Sequence, residues 1–191
     1  MDLILLKPGD DTVLPSGNSW EAGGSLIDDK WRQNPPIDIK DNHIELVSIH
    51  QGLKQQMTTD VSNSARTSGR PVITEFTCVK YVDKSSVNFY DRCLRAKPLD
   101  KKGSPPTVIH IARNSGENTA NIMTFWLRDA MISEIQLQSH PDDMPTEQFK
   151  LSFTEIIWEF TVQNTDTSVG GNVTSSWSIA HNRPETDMQK P

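Results

Sequence analysis

The stretch Phe76-Thr77-Cys78-Val79-Lys80-Tyr81-Val82-Asp83-Lys84-Ser85-Ser86 decides the fold class, because a strand pattern gives way to a helix start within it. Up to Val79 the side chains alternate between two faces, as the period of two in a β-strand requires. Three later residues carry oxygens that can accept from free amide groups at a helix N-terminus: Asp83, Ser85 and Ser86. Apolar residues then follow at helical spacing until Pro98 stops the helix: Val87, Tyr90 and Leu94. The stretch therefore predicts a junction between a strand and a helix.

Length and composition favour one domain. The chain has 191 residues, of which 35% are hydrophobic, and this is enough to bury one substantial core. We expect a single domain over residues 1–183, with an irregular insertion rich in Pro, Gly and Asp over 10–42 and an extended polar loop over 58–70. We expect a disordered tail over 184–191.

The net charge and the short apolar runs of the sequence argue against nucleic acid and membranes as partners. A formal net charge of -6 disfavours nucleic acid, whose binding needs a concentrated positive surface. No apolar run approaches the roughly 18 residues of a membrane span, and Lys7-Pro8 cuts off Leu3–Leu6 before it could be a signal-peptide core. We expect no membrane insertion, folding in the cytoplasm, and export without a cleavable signal if the protein is secreted. Cys78 and Cys93 lack metal-ligand spacing and are expected to be buried thiols.

The rest of the chain after Asn42 alternates short apolar runs with polar turns, which is typical of a sandwich or barrel. The predicted strands are 44–51, 72–82, 107–113, 122–127, 131–139, 149–162 and 176–181. Periodicity leaves open whether 122–127 and 131–139 are one bulged strand or two. In 149–162 the apolar face switches from odd to even positions, which predicts a β-bulge near Thr154–Ile156 and favours a small closed barrel of two packed sheets.

Residues that could support catalysis lack the necessary arrangement. His140-Pro141-Asp142-Asp143 is typical of an exposed turn rather than a metal site. Glu155 and Glu159 lie four apart, but no cleft is indicated between them, and we interpret them as surface carboxylates. We therefore predict no catalytic residue, no metal ligand and no cofactor, and expect that the protein is not an enzyme.

The junction closely resembles the F-T-K-Y-[VI]-D-K-S-[ST] segment of the haemolysin-coregulated proteins (Hcp), the tube-forming subunits of bacterial type VI secretion systems. Residues 123–139 resemble the family's paired strands, and 149–162 its L-x-F-x-x-[IV]-x-W-x-[FY] strand. Gly170–Asn182 resembles its closing G-G-x-[IV]…G-W-[SN]-I-x-x-N element. The first 43 residues match poorly beyond the opening Leu3–Leu6 strand.

The resemblance implies a β-barrel with one flanking α-helix that closes into a hexameric ring. Stacked rings would form an inner tube that a contractile sheath expels, with spike and baseplate proteins at its leading end and effectors in its lumen. The protein would then be secreted from the bacterial cytoplasm through the type VI apparatus.

The loop over 58–70 coincides with the loop by which the family's rings stack. The candidate stacking residues are Thr59, Asp60, Asn63, Arg66 and Arg70.

Two other functions stay open at the sequence level. A phage-like contractile-tail tube protein would share the architecture and the assembly chemistry. Three tryptophans alternate with apolar neighbours in predicted strands, and we interpret them as core or subunit contacts: Trp126, Trp158 and Trp177. A monomeric β-sandwich that binds carbohydrate would instead expose these rings.

Overall fold

The computed structural model describes residues 2–14, 43–58, 67–101, 103–115, 118–163 and 169–185. Most of the predicted insertion and the tail from residue 186 lie outside these ranges. The strands are β1 Asp2–Lys7, β2 Ile44–Leu46, β3 Ser48–His50, β4 Leu53–Lys54, β5 Met57–Thr58, β6 Thr67–Ser68, β7 Val72–Ile73, β8 Phe76–Tyr81, β9 Thr107–Ser115, β10 Asn118–Arg128, β11 Met131–Gln138, β12 Thr146–Ser152, β13 Glu155–Gln163 and β14 Val169–Ser178. Helix α1 spans Ser86–Leu94.

Two antiparallel sheets pack face to face, which confirms the predicted mainly-β class with one flanking helix. The larger sheet has the order β14-β13-β10-β9-β1-β2, and the smaller has the order β11-β12-β8-β3. Two short pairs, β4 with β7 and β5 with β6, stand apart from both sheets.

The core lies between the two inner faces and contains five phenylalanines. Phe76 contacts Phe125 edge to face with ring centroids 5.1 Å apart, and Phe89 of α1 contacts Phe149 in the same way at 5.2 Å. Edge-to-face aromatic contacts add to the stabilisation that comes from area burial alone.

The chain passes directly from one sheet to the other at three corners, and these correct several predicted strands. The predicted strand 44–51 divides at Val47 into β2 and β3, which belong to different sheets. The open question at Arg128-Asp129 resolves as two strands, because β10 lies in the larger sheet and β11 in the smaller. Asp129 makes this turn with a positive φ of 49°, a region that Asp tolerates better than most residues.

The third corner replaces the predicted bulge in 149–162. The strand ends at Ser152 and restarts at Glu155, so the odd-to-even switch of apolar residues reflects a change of sheet. The Thr154 N–H donates to the Arg128 carbonyl at 3.0 Å, and the Thr154 hydroxyl donates to Asp129 at 2.7 Å. The second and third corners therefore stabilise each other.

Other boundaries also differ from prediction. The predicted strand 72–82 is interrupted at Thr74 and Glu75, which separate β7 from β8. The predicted strand 176–181 is β14, which begins earlier and ends at Ser178. Helix α1 ends at Leu94, before Pro98, because Ala96 adopts a positive φ of 50° that closes the last turn.

The insertion begins with ordered structure. Residues Asp11–Val13 form a 3-10 turn whose N-cap is Asp10, and the side chain of Val13 is buried. Burial by itself raises the pKa of the Asp10 carboxyl, but hydrogen bonds from Thr12, Arg92 and Lys101 outweigh it and hold that pKa well below its usual range. Asp10 therefore ties the start of the insertion to the end of α1.

Candidate functional site: assembly surfaces

The junction motif contains a buried ionic cluster that joins three elements. Lys80 lies on β8, its side chain is fully buried, and its ammonium group is 2.9 Å from Glu147 of β12 and 2.8 Å from Asp83. It also donates to the hydroxyl of Ser86, the first residue of α1, at 3.1 Å. The ring of Phe89 lies 5.8 Å from the same ammonium group. These contacts supply the charge pairing that a buried ammonium group needs.

Glu147 completes the cluster from the other side. Its carboxylate accepts from the Ser86 hydroxyl at 2.9 Å and from the Tyr90 hydroxyl at 2.8 Å. Burial and the hydrogen bond to Glu147 raise the pKa of Tyr90 to about 12. Strand pairing places Glu147 opposite Lys80, so the ion pair connects neighbouring strands as well as strand and helix.

The helix start is held differently from the simple cap that the sequence predicts. The Asp83 carboxylate accepts from the Ser85 N–H at 2.8 Å, while the Ser86 hydroxyl accepts from the Asp83 N–H at 3.1 Å. The N-cap residue, Ser85, makes no capping bond with its own side chain. The capping oxygens therefore belong to the same cluster as Lys80.

A two-stranded arm that belongs to neither main sheet leads to the predicted stacking loop. Its base is the pairing of β4 with β7, and its outer part is the pairing of β5 with β6. Gly69 N–H donates to the Gln56 carbonyl at 3.1 Å, which links the two pairs. The predicted loop over 58–70 is therefore shorter than expected, because Thr58 and Thr67 pair as strand residues.

Of the five candidate stacking residues, one is described. Arg70 lies at the base of the arm, where its guanidinium group donates to the Ile179 carbonyl at 2.7 Å. Arg70 thus fastens the arm to the turn after β14 and is not at a tip. The other four candidates lie outside the described residues: Thr59, Asp60, Asn63 and Arg66.

A groove of about 360 Å³ lies between the arm and the larger sheet. Leu53 and Val72 of the arm form one wall, and Trp158 and Trp177 form the other. Both tryptophans are partly buried and pack against the core. Trp126 packs in a separate buried cluster with Val108 and Ile157. The three tryptophans therefore do not form the shared exposed platform that carbohydrate binding would require.

Beyond this groove, the face of β13 and β14 that packs against the core at one end is exposed to solvent at the other. Phe160 lies opposite Val173 in the strand pairing and shares a face with Ile156, which is fully buried. At the far end of the same face, however, Phe160 is 48% exposed, Val173 is 65% exposed and Val162 is also exposed. We call Phe160, Val162 and Val173 the β14 patch. β14 is also an edge strand, so backbone groups for further pairing lie beside this patch.

Histidines and carboxylates considered for catalysis are dispersed. His140 lies in an exposed turn as predicted, 2.9 Å from Gln138. His43 and His110 approach each other with ring centroids 6.0 Å apart, and burial, His43 and Lys7 lower the pKa of His110 to about 3. Cys78 is buried and burial raises the pKa of its thiol, whereas Cys93 is only partly buried. These groups form no nucleophile, base and orienter arrangement in the described part of the chain.

Glu155 and Glu159 both lie on β13 but are less exposed than predicted, since each is partly buried. Burial raises the pKa of Glu155, and the negative charges of Glu185 and Asp129 raise it further. The sequence does not predict this proximity, because Glu185 lies in the segment 184–191 that is predicted to be a disordered tail.

Glu147 and the β14 patch are likewise not predicted from the sequence. A signal for Glu147 was present: Lys80 shares the strand face of Phe76 and Cys78, and a lysine on a core face needs an acidic partner. No comparable signal marked the β14 patch, because its residues alternate like those of any half-buried strand.

The family model described as "Type VI secretion system effector, Hcp" matches residues 36–160, more than half of the chain. The chain belongs to the Hcp family. No curated protein sequence matches it. The family membership confirms the resemblance that the junction motif carries, and it favours type VI secretion over the two other functions that the sequence left open.

Solved structures show the same fold for this Hcp family member. A structure of a type six secretion system protein aligns with a TM-score of 0.72 at 16% identity and covers 97% of this chain and 100% of its own. Hcp1 from Salmonella typhimurium aligns with a TM-score of 0.66 at 18% identity over 96% of this chain and 99% of its own. A type VI secretion system effector from Yersinia pestis aligns with a TM-score of 0.59 at 16% identity over 92% and 98%.

No helix in the described part of this Hcp chain is long and apolar enough to span a bilayer.

Proposed function

We propose that this protein is the subunit of a type VI secretion inner tube, in which it closes into a hexameric ring and stacks with other rings. The observation that carries the proposal is the β14 patch, a core-facing surface that the subunit's own smaller sheet leaves uncovered. A continuous apolar surface beside an open strand edge is typical of a protein–protein contact. Its place in an Hcp-type fold supports a contact between neighbouring subunits.

A closed ring needs a second, different surface on the same subunit, because a heterologous interface joins unlike faces. The smaller sheet has its own edge strand, β11, where Leu137 is exposed, and Met144 is exposed in the connection that follows. We assign this surface, the β11 patch of Leu137 and Met144, as the partner of the β14 patch. Each patch lies at or beside the edge strand of a different sheet, β14 in the larger and β11 in the smaller, so the two patches are different surfaces, as a head-to-tail arrangement requires.

The arm supplies contacts between rings in this proposal. Its base is fixed to the barrel by Arg70, and strands β5 and β6 continue the pairing beyond β4 and β7. The predicted stacking loop, held at the end of this arm, can contact an adjacent ring without disturbing the barrel of its own subunit.

The remaining roles follow from the tube. The contractile sheath would contact the outside of the assembled rings, spike and baseplate proteins would meet its leading end, and effectors would occupy the lumen. The protein would perform no catalysis, and nucleic acid would not be a partner at a formal net charge of -6. It would fold in the bacterial cytoplasm and leave through the type VI apparatus.

The test replaces one residue in each patch with lysine. Val173→Lys and Leu137→Lys should each prevent rings from forming in electron micrographs, since a buried unpaired ammonium group is costly. Leu94→Lys is the matched control, because Leu94 is 87% exposed on α1 and belongs to neither patch. In the bacterium lacking its own copy, only the wild type and the control should reach the medium when the sheath is intact.

Mixing the two variants tests the head-to-tail geometry. Each variant keeps one unaltered patch, so Val173→Lys and Leu137→Lys protein together should form a heterodimer although neither self-associates. Rings that persist in either lysine variant would contradict the assignment of the patches, and secretion that does not depend on the sheath would contradict the function.

A further inference from the structure

The two ends of the β13–β14 hairpin bring three metal-binding side chains together outside the surfaces described above. Glu155 begins β13, while His181 and Glu185 follow the end of β14. One ligand atom from each of these side chains lies within 4.8 Å of the other two. Glu155 and Glu185 are partly buried and His181 is exposed, so the cluster has an open side toward solvent.

Backbone contacts hold this cluster in place. Ser178 and Arg183 exchange two backbone hydrogen bonds at 2.9 and 3.3 Å, which close the turn that carries His181. Asn182 completes the turn with a positive φ of 54°. The Ser176 hydroxyl donates to the Glu185 carbonyl, which fixes the chain after the turn. The three side chains therefore project from backbone that is already bonded.

Ser178 orients the imidazole. Its side chain is fully buried, and its hydroxyl oxygen lies 3.1 Å from His181 Nδ1 and accepts from the His181 backbone N–H at 3.2 Å. A hydroxyl oxygen has two acceptor sites, so it can also accept from Nδ1–H. That tautomer leaves Nε2 with a free lone pair, the arrangement that metal-binding histidines adopt when a neighbouring oxygen holds the other nitrogen.

We propose that Glu155, His181 and Glu185 form a binding site for a divalent first-row transition metal ion, with Zn²⁺ as the ion that fits best. One imidazole nitrogen and two carboxylate oxygens make a mixed donor set that suits Zn²⁺ better than Mg²⁺ or Ca²⁺, which prefer oxygen alone. Two carboxylates balance the charge of the ion. Bond lengths of about 2.0 to 2.2 Å require small side-chain movements from the present separations, and water would complete the coordination.

A bound metal ion would stabilise the position of the segment that follows β14. Metal binding would tie the segment after β14 to the start of β13, so the free energy of binding would add to the free energy of unfolding. This inference is independent of the proposed tube, since a metal site can exist whether or not rings form.

Calorimetric titration of the full chain, without an affinity tag, with Zn²⁺ tests the site. The wild type should bind one ion per chain, and Zn²⁺ should raise its melting temperature. His181→Ala and Glu185→Gln should each weaken binding by at least about tenfold and abolish the shift in melting temperature. His140→Ala is the matched control and should bind as the wild type does, because His140 is an exposed histidine far from the cluster in sequence.

Two results would overturn the proposal. One is that the wild type binds no stoichiometric Zn²⁺. The other is that the His140 and His181 variants lose binding equally, which would indicate nonspecific histidine binding. If His181→Ala does not fold, the visible absorption of Co²⁺ decides: four- or five-coordinate Co²⁺ absorbs intensely and six-coordinate aqueous Co²⁺ weakly, so the wild type should show an intense band that Glu185→Gln loses, and a weak band in both would overturn the proposal.

Discussion

Lys80 places a positive charge inside the protein, where only its partners make it tolerable. Glu147, Asp83 and Ser86 surround its ammonium group, and each of these partners is itself fixed by a second hydrogen bond. Replacing a buried ion pair with apolar groups can be neutral, whereas removing one partner leaves a buried charge behind. The junction motif therefore depends on the whole cluster more than on any one contact.

Lys80→Met should lower the free energy of unfolding by about 3 to 5 kcal/mol, because it leaves the Glu147 carboxylate buried without its cation. Urea unfolding measures this directly. Lys150→Met is the matched control, since Lys150 pairs with Glu134 at 2.5 Å in a partly exposed position and should change stability little. Equal effects of the two substitutions would show that the buried cluster is not special. Combining Lys80→Met with Glu147→Leu should recover part of the loss.

His110 should make stability depend on pH. Its folded pKa of about 3 lies below the ordinary value of 6.5, because burial, His43 and Lys7 disfavour the protonated ring. As the pH falls below 6.5, His110 becomes protonated in the unfolded chain but stays neutral in the folded protein, so the free energy of unfolding falls. Above 6.5 both states are neutral and the contribution is constant.

The variant His110→Gln tests this dependence. Between pH 6.5 and pH 4 it should flatten the loss of unfolding free energy by up to about 1.4 kcal/mol per pH unit relative to the wild type. Its amide can still meet Asn121, whose side chain lies 3.2 Å from the His110 ring. His140→Gln should leave the pH profile as it is in the wild type, and a similar flattening there would contradict the assignment to His110.

At the scale of the elements, alternation of side chains predicted most strands but not their ends. The apolar residues switch from odd to even positions between Phe153 and Ile156, and this correctly predicted an irregularity there. A β-bulge and a crossing from one sheet to the other produce the same switch in a sequence. What separates them is the pairing partner: β12 pairs with β8 and β11, whereas β13 pairs with β10 and β14. Partners lie far away in the chain, so periodicity could not distinguish the two cases.

The helix shows the complementary situation. Its start was predictable from Asp83, Ser85 and Ser86 because capping is a local interaction. The predicted end was too late, because Pro98 is a recognisable stop signal in the sequence. The left-handed conformation of Ala96, which ends the helix earlier, is typical of glycine and cannot be predicted from an alanine. The boundaries of a helix can therefore be predicted from the sequence only where the residue type restricts the backbone conformation.

The arm can be tested as an element. Replacing residues 60–66 with a short Gly-Ser linker should leave the barrel stable, since a twofold change in loop length alters closure free energy by only about 0.6 kcal/mol. Thr67 and Ser68 are retained because they pair with Thr58 and Met57. We expect rings to persist and stacking to fail in electron micrographs.

A second variant separates the loop from its support. Arg70→Ala removes the bond to the Ile179 carbonyl and should reduce stacking while leaving rings and melting temperature close to those of the wild type. Normal long tubes in the linker variant would show that the replaced segment has no part in stacking.

At the scale of the whole molecule, composition indicated one core and the junction motif indicated the family, but neither could reveal an incomplete core. The β14 patch becomes visible only when Phe160 and Val173 are seen on the face of the buried Ile156. In the described part of the chain, the larger sheet has six strands and the smaller sheet four, and Phe160, Val162 and Val173 of the larger sheet remain exposed. A neighbouring subunit is the natural cover for such a surface.

Native mass spectrometry of the wild-type chain shows whether the subunits close into a ring. A dominant species of six subunits is expected at micromolar concentration, because cyclic closure buries every β14 patch and leaves no open end. A predominantly monomeric species under the same conditions would contradict ring closure.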